Sequence, residues 1–83
     1  MKHVYVLTEE NDNNNAVIGV YSTMQKAVNA LFNYAVGMVV ASSWMEPVGT
    51  RFNLQNGDTS AHFYIEEIEM DNTMFLLENK YDR

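Results

Sequence analysis

The chain has 83 residues, with 11 acids against 5 bases, a formal charge of −6 and no cysteine. That length fits one domain spanning 1–83, and the missing cysteine excludes disulfides, thiolate catalysis, Cys-based zinc sites and iron–sulfur clusters together. The scattered bases argue against direct binding of nucleic acid or of an anionic membrane, because phosphate recognition needs clustered Lys or Arg.

Val4 to Thr8 is β-branched and aromatic and predicts a strand. His3, Tyr5 and Leu7 share one of its faces and Val4 and Val6 the other, so both faces are apolar, as in a strand covered on both sides. Glu9-Glu10-Asn11-Asp12-Asn13-Asn14-Asn15 has no apolar residue and predicts a solvated loop. Ala16 to Tyr21 predicts a second strand. A loop that short cannot carry a parallel crossover, so the two strands form an antiparallel hairpin.

Ser22 suits a helix N-cap, and Gln25 follows at the capping-box spacing. Ala27, Ala30, Leu31, Tyr34, Ala35 and Met38 then recur at helical spacing. The end of the helix stays open. Gly37 can terminate it, the helix can continue to Ala41 with Gly37 inside at a cost of about 1 kcal/mol, or Met38 to Ala41 can form a short strand.

Ser42 to Gly49, with Trp44, Met45 and the only proline, Pro47, reads as a loop. Thr50 to Gln55 predicts a strand, and Asn56-Gly57 marks a hairpin with a type I′ turn. The returning strand runs from Thr59 to Met70. Phe63 and Ile65 share one parity and Ile68 and Met70 the other, so a bulge near Glu66-Glu67 would bring all four to one face. The tail from Asp71 to Arg83 holds one apolar knot, Met74-Phe75-Leu76-Leu77, readable as an edge strand or a helical turn. The sum is an α+β domain of order β-β-α-β-β: an antiparallel sheet of about four strands with one main helix across a face.

Ile18-Gly19-Val20-Tyr21-Ser22-Thr23, Lys26-Ala27, Ala30-Leu31 and the closing acidic strand Phe63 to Asp71 resemble a family of small uncharacterised bacterial and phage proteins. The resemblance implies the fold and carries no chemistry with it. Phage-like relatives suit an inhibitor of a nucleic-acid enzyme, such as an anti-CRISPR or other counter-defence factor.

No catalytic constellation stands out. Ser22 is explained as a cap, Ser42, Ser43 and Ser60 lie in no nucleophile elbow, and no Gly-x-Gly phosphate loop occurs. His3 and His62 would meet beside Glu66 or Glu67 if their strands pair, which would make a two-His, one-carboxylate metal site; the spacing is that of no metal motif, and no metal or other cofactor is expected. Tyr5, Tyr21 and Tyr34 could line a small-ligand pocket between helix and sheet. The acids form two clusters, Glu9, Glu10 and Asp12 in the first loop and Glu66, Glu67, Glu69 and Asp71 on the last strand. Alternate strand residues stand about 6.5–7 Å apart, close to the spacing of phosphates whose axial rise is about 3.4 Å per nucleotide. A row of carboxylates can therefore occupy a basic groove built for nucleic acid, and Trp44 supplies an aromatic anchor.

The expected function is a small acidic non-catalytic protein-binding module. It would dock on the basic surface of a larger protein, a nucleic-acid enzyme being one such partner, through Glu9, Glu10, Asp12, Trp44, Glu66, Glu67, Glu69 and Asp71. A homodimer closed by edge pairing or face packing is the alternative. No segment reads as a signal peptide or a membrane span. The apolar-rich stretch Ala27 to Ala41 is interrupted by Asn29, Asn33 and Gly37, so a cytoplasmic location is expected, that of the host cell if the chain is phage-encoded.

Overall fold

Leu7, Leu54, Phe63 and Ile65 come from three distant parts of the chain and are all fully buried. They share one face of an antiparallel sheet. A computed structural model describes residues 2–12 and 14–70. Its elements are β1 (Lys2–Glu10), β2 (Asn15–Tyr21), α1 (Met24–Tyr34), β3 (Val39–Glu46), β4 (Gly49–Asn56) and β5 (Thr59–Met70). The strands lie in the order β2-β1-β5-β4-β3, and each neighbouring pair is antiparallel. The class is α+β, with five strands and the order β-β-α-β-β-β in place of the four-stranded expectation.

The fifth strand is β3, which runs through Ser42 to Glu46, where a loop was expected, and takes in Val39 to Ala41, for which a short strand was one of the open readings. Its residues are exposed except for a half-buried Glu46, so it joins the sheet through its backbone ladder with β4 rather than by burying side chains. Its sequence therefore lacks the apolar–polar alternation that marks a strand. The pairing Glu46↔Gly49 leaves Pro47-Val48 as the turn, and the Val48 carbonyl accepts from the Glu67 amide at 2.7 Å. Gly49 is needed here, because a Cβ would collide with the Ile65 carbonyl oxygen.

The helix begins one residue later than expected. Thr23 is the N-cap, and its Oγ1 accepts from the Lys26 amide at 3.1 Å. Ser22 Oγ accepts from Lys26 Nζ instead, and Gln25 donates to Asn29, so no reciprocal capping box forms. Starting at Met24 leaves Ala27 and Leu31, with the C-cap Ala35 one further turn on, buried on one stripe over β1, β2 and β5. The helix ends at Tyr34. Gly37 lies two residues past the C-cap at φ 87°, and Val39 already belongs to β3, so the continuation to Ala41 does not occur.

The registers correct two further expectations. The β1–β5 and β4–β5 ladders run without a shift, so there is no bulge near Glu66-Glu67. Phe63 and Ile65 face the helix while Ile68 lies on the opposite face, opposite the buried Val4 of β1. The bulges sit elsewhere, at Ile18 in β2 and Ala41 in β3. The first lets Ile18 pack on the core beside Gly19. In the β4–β5 hairpin the two turn residues are Gly57 and Asp58, and only Gly57 has positive φ (62°), the pattern of a type II′ turn rather than I′. Among the described residues no helix is long and apolar enough to cross a membrane. The Asp71 site expectation and the Met74-Phe75-Leu76-Leu77 knot lie outside the described residues.

Candidate functional site

On the face opposite α1 the registers set Trp44, Arg51, Tyr64 and Thr8 side by side across β3, β4, β5 and β1. Arg51 is the hub. Its guanidinium lies 4.5 Å from the centre of the Tyr64 ring, bonds to Glu10 Oε1, and has Nε 3.7 Å from Glu46 Oε1. Glu46 accepts from the Trp44 indole N–H with its other oxygen at 2.7 Å. The hydrogen bond to Glu10 raises the Arg51 pKa above its usual value, against a smaller opposing effect of burial. Burial first, and then the charge of Glu66, raises that of Tyr64.

The next row toward the first loop is Ser42, Asn53, His62 and Glu10. His62 Nδ1 bonds to Asn53 Oδ1, and Asn53 Nδ2 donates to Ser42 Oγ at 3.1 Å. These two rows and the loop after β1 enclose a groove of about 280 Å³, walled by Glu10, Asn11, Asp12, Trp44, Arg51 and His62 among others. An adjoining hollow of about 250 Å³ shares Glu10, Asp12 and His62 and reaches Glu9 and Ser60. Two carboxylates, an aromatic ring and amide and imidazole groups can hold a cationic side chain by charge, ring face and hydrogen bond.

Glu10, Asp12 and Trp44 thus meet around one groove, while Glu9 lines only the adjoining hollow. Glu9 accepts from the Tyr34 hydroxyl at 2.8 Å, so part of its capacity is used within the fold. Asp12 has no ion pair or hydrogen bond to another side chain among the described residues. The β5 acids lie apart. Tyr5 pairs with Glu67, and at about 3.4 Å per residue that row is about 17 Å from Glu10 along β1. They also divide between faces. Glu66 is on the face opposite α1, whereas Glu67 and Glu69 share the helix side, so among the described residues the alternating carboxylate row is those two. Glu67 accepts from the Tyr5 hydroxyl at 3.3 Å and lies 3.8 Å from His3 Nδ1.

His3 and His62 do not meet. The antiparallel register sets His3 opposite Glu69 and His62 opposite Glu10, which puts them about 24 Å apart along the strands and on opposite faces. Among the described residues no group of three or more His, Asp or Glu is placed to hold a metal ion. Tyr5 and Tyr21 pair across β1 and β2, while Tyr34 packs edge-on against Phe63 at 6.0 Å between ring centres.

Sequence reasoning missed Arg51, the residue that ties Glu10 to Glu46. The available signal was a lone base near the start of the predicted strand Thr50 to Gln55, which pairs with a strand carrying several acids. No family model matches the chain, and no curated protein or solved structure matches it.

Proposed function

We propose that this protein is a non-catalytic protein-binding module whose groove receives an arginine- or lysine-bearing segment of a larger partner. The observation that supports it most is Asp12, a carboxylate with no counter-charge among the described residues, in a groove shared with Glu10 and the half-exposed ring of Trp44. Arg51 offsets Glu10 and Glu46 and holds the Trp44–Glu46 pair in place, so the groove is set before a partner arrives. Glu66 and Glu69, which also have no ion-pair partner among the described residues, add to the field that steers a basic surface toward the molecule. In this reading the partner is a nucleic-acid enzyme whose basic surface is occupied, as by a phage-type inhibitor.

Isothermal calorimetry with a short arginine-rich peptide at low and high salt tests this. D12K is expected to weaken binding about tenfold, and 0.5 M salt to weaken wild type comparably, since screening acts on the same charges. E66K/E69K is expected to weaken it less. Equal affinity of D12K and wild type would remove the groove as the docking site.

A further inference from the structure

Of the nine large hydrophobic residues exposed among the described residues, five lie on β3 and its turn: Val39, Val40, Trp44, Met45 and Val48. Among the described residues β3 is also the last strand of the sheet, with no described strand on the other side of its backbone ladder. A strand edge presents N–H and C=O groups that water can satisfy but that also template pairing with another extended backbone, and natural edges are usually blunted by Lys, Pro or a bulge. β3 has a bulge at Ala41 and Pro47 just past its end, but from Ser42 to Met45 it has none of these. The opposite edge, β2, carries a bulge at Ile18 and has Val17 as its one exposed large apolar residue.

We propose that β3 pairs with β3 of a second copy, antiparallel about a two-fold axis at Trp44, joining two five-stranded sheets into one. Charge favours a second copy over a basic partner at this edge. Val39 to Met45 carries no charge in a chain of −6, so the seam offers a cationic surface nothing and avoids the self-repulsion that other faces of the molecule would bring. The one acid at its end, Glu46, is already held by Trp44 and Arg51.

The bulge selects the register. It sits at Ala41, so the regular part of the strand is Ser42 to Glu46, whose midpoint is Trp44. A two-fold axis there pairs all five residues and matches their faces: Trp44 meets its own copy and Ser42 meets Glu46 on the face opposite α1, and Ser43 meets Met45 on the helix side. Met45, 83 % exposed, and Trp44, 44 % exposed, are the side chains that gain cover. A seam of five residue pairs buries less than a standard interface, so the dimer is weak, with a dissociation constant of about 10–100 μM. The seam shares Trp44 with the groove but does not rest on the groove's receiving a cationic segment.

Trp44 is the only tryptophan, so its emission reports on the seam directly. Sedimentation velocity and tryptophan emission are measured from about 1 to 500 μM on wild type, S43K/M45K and V17K, each checked for folding by circular dichroism. Wild type is expected to pass from monomer to dimer over this range, with a blue shift of emission on the same midpoint. S43K/M45K places like charges opposite each other across the seam and should raise that midpoint at least tenfold, while V17K, on the other edge, leaves it unchanged. A wild-type monomer at 500 μM overturns the proposal. So does a dimer broken by V17K and not by S43K/M45K, or one that forms with no change in Trp44 emission. If the β3 edge instead receives a strand of a different protein, wild type stays monomeric and the second-copy proposal fails.

Discussion

The Trp44 indole N–H donates to Glu46 Oε2 at 2.7 Å, and the other oxygen of that carboxylate faces Arg51. Through Arg51 the chain continues to Glu10 and to the face of Tyr64, so one network spans β3, β4, β5 and β1. Replacing Arg51 by methionine keeps the length of the side chain and leaves Glu10 and Glu46 without their cation. The pair is partly exposed, so R51M is expected to cost about 1 kcal/mol, a fall of roughly 4–8 °C in Tm, measured by thermal unfolding at low salt. At 0.5 M salt the difference from wild type should narrow, because screening removes part of what the ion pairs contribute.

Tyr34 gives the fold a sensitivity to alkali. Its hydroxyl donates to Glu9, and that bond, followed by the carboxylate's charge, raises its pKa above the usual 10.0. Burial and Glu67 raise Tyr5 in the same direction. A raised folded-state pKa means the native chain holds its protons longer than the unfolded one. The stabilisation is complete below pH 10 and is lost as pH climbs through the folded values. Tm is therefore expected to fall as pH rises above 10, and Tyr34→Phe should be less stable at pH 8 but show a shallower decline above pH 10.

Gly49 is a packing requirement. A methyl group there meets the Ile65 carbonyl oxygen, which is backbone and cannot rotate away. Gly49→Ala is expected to lower stability by about 1–3 kcal/mol through a shift of β4 against β5, read by denaturant unfolding. Gly57→Ala, where nothing stands within 4 Å of the added atom, tests positive φ alone and should cost less.

The core and the β3 edge should respond oppositely to truncation. Leu31 is fully buried over Leu7, Phe63 and Ile65, and Leu31→Ala is expected to cost about 2–5 kcal/mol, a large share of the roughly 4–12 kcal/mol expected of a chain this size. Met45→Ala at low protein concentration should change stability by less than about 0.5 kcal/mol. Urea titration of both variants checks this contrast.

What was legible in the sequence follows from which residues bury side chains. Val4 to Thr8, Thr59 to Met70 and the helix residues Ala27, Leu31 and Ala35 carry the pattern of a buried face and are where it was expected, whereas Ala16 to Tyr21 forms its strand with no fully buried side chain, Tyr34 of the expected stripe is exposed and Met38 lies beyond the helix. β3 carries no such pattern. Ser42-Ser43 and Pro47 read as a loop, yet the strand is held by backbone pairing to β4 and by Trp44, Glu46 and Arg51. The cap shifted by one residue because Thr23 offers the same oxygen as Ser22 and the later start orients Ala27 and Leu31 inward. The candidate site was legible in its residue types and not in its arrangement. Composition shows the acids, whereas only the register shows that Glu10 is tied to Arg51 and that Glu66 parts from Glu67 and Glu69.

The claim that the groove takes a cationic segment is tested most directly by nuclear magnetic resonance of the ¹⁵N-labelled protein titrated with a short arginine-rich peptide and with a neutral peptide of equal length. The account predicts saturable shifts at the Asp12 amide, the Trp44 indole N–H and the Arg51 side chain, from the basic peptide alone. Shifts centred on Glu67 and Glu69, equal shifts from both peptides, or none at all would contradict it.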